Sequence, residues 1–549
     1  MKRKLAATAA LATTLAACSS GGSSTGSGSA DSPGGLYPAA KLVSSTPAGT
    51  KAVDTVTWAL ATGEPPTLNP VQSGTDSSYI VNANLCENLL TVTPDFGVAP
   101  GLATKAEWTD PTTFQIQLRS GVKFWDGSPM TSADVAYSLQ QNANPASGSI
   151  NVGLFGAVKS ITASGPLQVT LKFAAPNSQF RNALATNAGV VFEKAFAQKA
   201  GKTLGTPQGG LMCTGPFEFK SWTSGKNIVT TSNPNYWNGQ PKVKSLEYVF
   251  IPDNATLTSA LLSGQVDGAY DIPTASAKAL AKASSGSLYF GPSTGTLSFG
   301  PVASSGAAAD PRVRQALNLA IDKTAFVKNV LGGYGRVAKT FSVPLTFTGL
   351  PDAAIYQKGY DALPAPVTDL AKAKALIQQA KPASTPLTLA IPSGNDELLQ
   401  AATLIQSAGK QLGLTINVKQ LQATDFAALF YNANARKGID FLATMGYLNA
   451  PGPIANASFF TMPPPLGLFN WSQYSDPQVT KYLGSANTAV DETQAANDFV
   501  KAQAIFAPAN LQVTLGEKYA SVYLNPKLTG VTTSFAYIGS PWALHLGGK

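Results

Sequence analysis

Between positions 386 and 420 the chain reads PLTLAIPSG, then a helical run over 396–412, then LTINVKQ. Both flanking segments alternate apolar and polar residues, the period of a strand. Leu414, Ile416 and Val418 fall on one side, and Gly413 stands where the helix must stop. A strand, a helix and a strand in that order need a crossover connection and therefore a parallel pair. This unit fixes an α/β lobe over about 306–514. DPRVRQALNLAID (310–322) adds a helix to it. Asp310 can cap that helix, and Pro311 suits its first position. Val313, Leu317, Ala320 and Ile321 then share one face.

The first half has a different texture. TVTWAL (55–60), TTFQIQL (112–118) and LQVTLKF (167–173) read as strands of a mixed α+β region. With 549 residues, the chain is too long for one hydrophobic core. Only 13% of it is charged, against 44% hydrophobic, which fits a globular body with an uncharged surface. Three of the nine net positive charges lie in Lys2, Arg3 and Lys4. No dense Lys/Arg block follows, so a nucleic-acid partner is not expected.

MKRKLAATAALATTLAAC opens the chain with a basic start and an apolar run too short to span a bilayer. It reads as a secretory signal over 1–17, and Leu15-Ala16-Ala17-Cys18 resembles a bacterial lipobox. Cys18 is then the lipidated residue, and the expected place is the outer face of the cytoplasmic membrane. A Ser/Gly-rich tether follows, assigned to 18–50 together with the cysteine. Cys86 and Cys213 remain. In an exported protein they form one disulfide or stay as two buried thiols; the disulfide is the expectation.

Catalytic machinery is hard to assemble from these residues. The single histidine, His545, lies near the C-terminus and reads as a tail residue. No His/Cys cluster has zinc spacing and no acidic run has the calcium-loop pattern, so neither metal nor cofactor is expected. Gly291-Pro292-Ser293-Thr294-Gly295 matches G-x-S-x-G, but a nucleophile elbow needs a helix after the serine. Here TLSFG follows and alternates like a strand. LRSGVKFWDGSPMTSADVAYSL (118–139) is dense in notable residues. Asp126-Gly127 is a tight-turn pair, and Thr131 with Asp134 can cap a helix. Each has a local structural task, so the stretch reads as architecture.

That stretch resembles the signature of the extracellular solute-binding protein family 5, the peptide/nickel/dipeptide-binding group. CTGPFEFKSW (213–222), NPNYWNGQPKVKSLEYVFIPD (233–253), LLSGQVDGA (261–269), DPRVRQALNLAIDK (310–323) and YSDPQV (474–479) resemble further blocks in the family's order. The resemblance implies an α/β, two-lobed periplasmic-binding-protein-like fold (type II, cluster C-like), with an extra α+β domain in the first lobe. Lobe I is then 51–95 with 206–305 and 515–549, the extra domain 96–205, and lobe II 306–514. It also implies a monomeric, non-enzymatic receptor of an ATP-binding-cassette importer. Such a receptor closes on a small, peptide-like solute and passes it to a membrane permease.

Ligands of open α/β sheets sit beyond the carboxyl ends of strands. That points to Glu64, Thr67 and Asn69 in lobe I, and to Ser393, Gly394, Asn395 and the end of IDFLATMGYLN, with Tyr447, Leu448 and Asn449, in lobe II. Peptide-binding relatives often carry G-W-x-x-D in this last segment, whose aspartate holds the peptide's amino group. Here Tyr447 takes the tryptophan position and Ala450 the aspartate position. Either Glu64 or another carboxylate substitutes, or the cargo lacks a free N-terminus. The alternatives are an oligosaccharide, modified peptide or metal chelate on the same scaffold and, more distantly, a secreted hydrolase.

Overall fold

The computed structural model describes residues 36–444, 450–464 and 466–549. Cys18 and the leader lie outside these residues, as do Tyr447, Leu448 and Asn449. In chain order the first part lays down β1 (Val53–Leu60), α1 (Asp76–Leu85), β2 (Ala103–Asp110), β3 (Thr113–Leu118), α2 (Ser132–Ala143), β4 (Val158–Gly165) and β5 (Gln168–Phe173). It continues through β6 (Phe217–Thr223), β7 (Asn227–Ser232), β8 (Val243–Phe250), β9 (Gly268–Tyr270) and β10 (Ser287–Gly291). The second part brings β11 (Thr296–Pro301), α3 (Pro311–Ala320), β12 (Gly335–Arg336), β13 (Leu387–Pro392), α4 (Asp396–Gln411), β14 (Ile416–Leu421) and β15 (Phe441–Thr444), then β16 (Val513–Lys518) and β17 (Ala520–Leu524).

Seven strands form the first sheet, in the order β10-β17-β9-β1-β8-β7-β6. Its central strand, β1, runs parallel to both neighbours, β8 and β9. Val56, Trp58 and Leu60 alternate into the main core. Trp58 fits because Gly268 faces it: a Cβ there would lie 2.5 Å from the indole ring. The four-stranded sheet β2-β3-β5-β4 forms the extra domain, and its Phe114, Ile116 and Leu171 join the same core. The second lobe holds six strands ordered β12-β16-β11-β15-β13-β14, and β13 and β14 are parallel as the sequence requires. One face of this sheet packs on α3 and α4 through Leu297, Phe299, Val313, Leu389 and Ile405.

Three boundaries move. β11 pairs with β15 and β16, so the chain enters the second lobe at 292–295 rather than after 305. β16 runs to Lys518, so the return falls at Tyr519 and not at 514. Residues 36–50 are packed, which shortens the tether expected over 18–50. Tyr37 lies 5.1 Å from the Phe290 ring, and the amides of Thr46 and Gly49 donate to Val531 O (2.9 Å) and His545 O (2.8 Å). Alternation marks β11 as a strand but carries no information on which sheet it joins, and Ser/Gly content marks a tether without showing where packing begins.

Candidate functional site at the junction of the lobes

The 118–139 stretch is construction throughout. Asp126 Oδ1 accepts from Ser128 N at 2.9 Å, and Gly127 takes the positive φ of the turn, +88°. Asp134 Oδ2 accepts from the backbone N and the hydroxyl of Thr131 at 3.0 and 2.6 Å, closing the start of α2. Trp125 N donates to Cys213 O at 3.2 Å, and Cys213 is disulfide-bonded to Cys86 with a Cα–Cα distance of 5.0 Å. Next to it Glu87 is buried and accepts from Thr214 Oγ1 (2.7 Å), Tyr236 OH (2.8 Å) and Trp237 Nε1 (3.0 Å). Arg119 stacks on Trp237 at 4.1 Å. Burial pushes the Glu87 carboxyl up to about 7 against the pull of these donors. Three of the blocks quoted above thus meet the Cys86-Glu87 segment at one node that pins the extra domain to the first sheet.

The lobe I cleft residues are bonded to neighbouring loops and to each other. Glu64 accepts from Trp222 Nε1 (2.8 Å) and Ser224 Oγ (2.9 Å) through Oε1, and from Gly225 N (2.9 Å) through Oε2. It therefore anchors the β6–β7 turn. Thr67 Oγ1 accepts from Asn69 N at 3.0 Å, and Asn69 Oδ1 from Val71 N at 3.3 Å. In lobe II, Ser393 is exposed and Gly394 adopts φ +79°. Asn395 caps α4, accepting from Leu398 N at 2.9 Å. That cap orients the first turn of α4, which carries Glu397.

The two crossings, 292–295 and Tyr519, enclose a cavity of about 50 Å³ lined by Asp76, Asp271, Ser293, Thr296, Lys518 and Tyr537, among others. Lys518 Nζ reaches Asp271 Oδ1 at 3.1 Å on one lobe and Glu397 Oε2 at 2.9 Å on the other. Burial opposes its charge, yet the two carboxylates outweigh it and hold the ammonium above its ordinary range. Thr274 N also donates to Glu397 Oε1 at 3.1 Å, so the lobes are bonded across this point. They touch again at the far edge, where Ser178 N and Oγ donate to Asn487 O (2.8 Å) and Ala486 O (2.7 Å). Ser293, set aside above as a nucleophile, lies between two strands in the crossing itself and accepts from Gly295 N at 3.0 Å. Sequence reasoning did not single out Asp76, Asp271, Thr296 or Lys518. Among the described residues, no group of three or more His, Cys, Asp or Glu side chains is arranged to hold a metal.

Comparison with known proteins agrees with this architecture. The glutathione-binding protein GsiB of Pectobacterium atrosepticum is 28% identical over 470 residues, covering 84% of this chain and 88% of that protein. The oligopeptide-binding protein AppA of Bacillus subtilis, solved with a nonapeptide, superposes with a TM-score of 0.74 at 18% identity, covering 91% of this chain and 99% of that one. NikA of Brucella suis, solved with Fe(III)-EDTA, gives 0.76 at 19% identity, covering 90% and 100%. Residues 97–467 match the family described as bacterial extracellular solute-binding proteins, family 5 Middle. With its blocks in order, its two lobes and its junction cavity, the chain belongs to the family 5 bacterial extracellular solute-binding proteins.

Proposed function

We propose that this chain captures a peptide-like solute between its lobes outside the cytoplasmic membrane and hands it, unchanged, to the permease of an ATP-binding-cassette importer. The observation that carries the reading is the junction. Two crossings and a Lys518 ammonium shared by Asp271 and Glu397 join lobes that can part and close around a solute. A solute that contacts both lobes favours closure by its differential affinity for that form. The first sheet's partner strands and the 118–139 node supply a rigid body for one jaw, and α3, α4 and their sheet supply the other.

Peptide-like cargo is favoured by the named ligands of two similar proteins, glutathione and a nonapeptide. Cys18 anchors the receptor, and the residues after it hold the body near the permease. Among the described residues no helix is long and apolar enough to cross a membrane. No covalent step is needed. The test is incubation of the purified protein with a mixed peptide and saccharide library, followed by denaturation and mass identification of what was retained. Recovery of intact peptides is expected. Retention of saccharides alone, or recovery of cleaved products, overturns the reading.

A further inference from the structure

The packed residues ahead of β1 divide into two parts. From Val43 onward they are zipped to lobe I. Val43 N donates to Phe290 O at 3.0 Å, and the amides of Thr46, Gly49 and Lys51 donate to Val531, His545 and Gly548 carbonyls. A segment serving lobe I alone could end there. Residues 36–41 instead cross to lobe II. Pro38 holds its own φ at −66°, a 3₁₀ turn follows at Ala39–Lys41, and the Tyr37 hydroxyl donates back to Lys41 O at 3.3 Å. Tyr37 N then donates to Gly333 O at 2.8 Å. Gly333 belongs to lobe II, in a turn where it and Gly332 take φ of +84° and +58°, values that favour glycine.

The Tyr37 ring stands where both lobes and the return crossing meet. Its centroid lies 5.1 Å from Phe290 on β10 of lobe I, 5.9 Å from Tyr334 of lobe II and 6.4 Å from Tyr519 in the crossing. Phe290 and Tyr334 stack on each other at 4.1 Å and 11°, and Tyr519 N donates to Tyr334 O at 3.1 Å. Those three rings are buried, and Tyr37 is half-buried over them. Rotation of the lobes about the crossings carries Phe290 with one lobe, and Tyr334 and Gly333 with the other. Aromatic contacts and hydrogen bonds weaken steeply with distance and angle. These contacts therefore count toward the arrangement in which Lys518 and Thr274 join the lobes, and not toward one in which they have parted. Tyr37 is not among the residues lining the junction cavity, so any effect on a solute is indirect.

We propose that residues 36–41 are a clasp across the crossings and that Tyr37 is a positioning residue, which raises solute affinity by favouring the joined arrangement of the lobes. Its effect on affinity rests on the receptor reading; the clasp itself is measurable without a solute.

The experiment compares the whole mature protein with its Tyr37→Ala, Tyr37→Leu and Tyr37→Phe variants. Small-angle scattering without solute should give a larger radius of gyration for the alanine and leucine variants. Tyr37→Phe keeps the ring and the amide and should match wild type. Thermal melts and circular dichroism confirm folding, and the leucine variant keeps the test open if the alanine variant melts early. Retention of glutathione and of a random tetrapeptide pool is then quantified by mass after gel filtration. Tyr37→Ala should weaken it about three- to tenfold, the worth of an aromatic pair. A residue that only stabilised lobe I would lower the melting temperature and leave radius and retention as they were. An unchanged radius in the folded alanine or leucine variant overturns the clasp. A larger radius with unchanged retention overturns the role in affinity. Retention of no peptide by wild type overturns the receptor reading, and the radius alone then decides the clasp.

Discussion

At the scale of single residues, the polar side chains that stand out in the sequence mostly build the body. Asp267 is typical: Oδ2 accepts from Thr57 N and Oδ1 from Asn525 Nδ2, each at 2.9 Å, tying three strands' ends together. Glu87 is the most demanding case, because it is buried with three donors aimed at it. The unfolded chain releases the Glu87 proton near the ordinary 4.5, the folded chain near about 7. Across that window the folded state binds more protons, so stability falls as pH rises. The contribution is fully present below 4.5 and lost once pH passes about 7. Denaturant melts at a series of pH values should show this slope in wild type and a flatter profile in Glu87→Gln. Glu87→Ala should cost roughly 3–5 kcal/mol, since it leaves buried donors without an acceptor.

At the scale of elements, local pattern was informative and long-range pairing was not. The strand read over 55–60, observed as Val53–Leu60, the Asp310-capped helix and the β13-α4-β14 unit were all legible, since a period and a cap are properties of neighbouring residues. Arg312 N does donate to Asp310 Oδ1, at 2.8 Å. The sheet to which β11 belongs was not legible, because its partners β15 and β16 lie far along the chain. The junction was hidden for the same reason. Asp271, Glu397 and Lys518 come from three separate blocks, and only the folded crossings bring them within 3.1 Å. Glu64 shows the converse: a carboxylate on the right loop, turned to a neighbouring hairpin by partners at 222–225. The Cys86–Cys213 link closes a separation of 127 residues. In the chain-entropy account a loop of that size is worth about 5 kcal/mol, and native disulfides typically give 2–5. Cys86→Ser with Cys213→Ser should lower unfolding stability by that range in urea melts; a loss below about 1 kcal/mol would show that the link adds little to the node.

At the scale of the whole molecule, closure is the motion that the proposed function requires, and two contact zones join the lobes. Lys518→Met removes the cation shared by the Asp271 and Glu397 carboxylates and leaves their charges uncompensated. A buried charge left unpaired is strongly destabilising, so the closed form should lose population to the open one. Small-angle scattering of the ligand-free variant should give a larger radius of gyration than wild type, with unchanged secondary structure by circular dichroism. An unchanged radius would mean that the far-edge contacts at Ser178 suffice. In the proposed function, anchoring at Cys18 is separable from binding. Cys18→Ala should then release the protein from membranes while peptide retention stays within about twofold, because position 18 precedes both lobes in the sequence. The central claim is that the body between these anchors is a receptor that holds peptide-like cargo intact. Its most direct test is native mass spectrometry of the protein purified from its own organism. The account predicts one bound mass per chain that is released unchanged on denaturation and fragments as a peptide; a saccharide, a metal chelate or a set of cleavage products would contradict it.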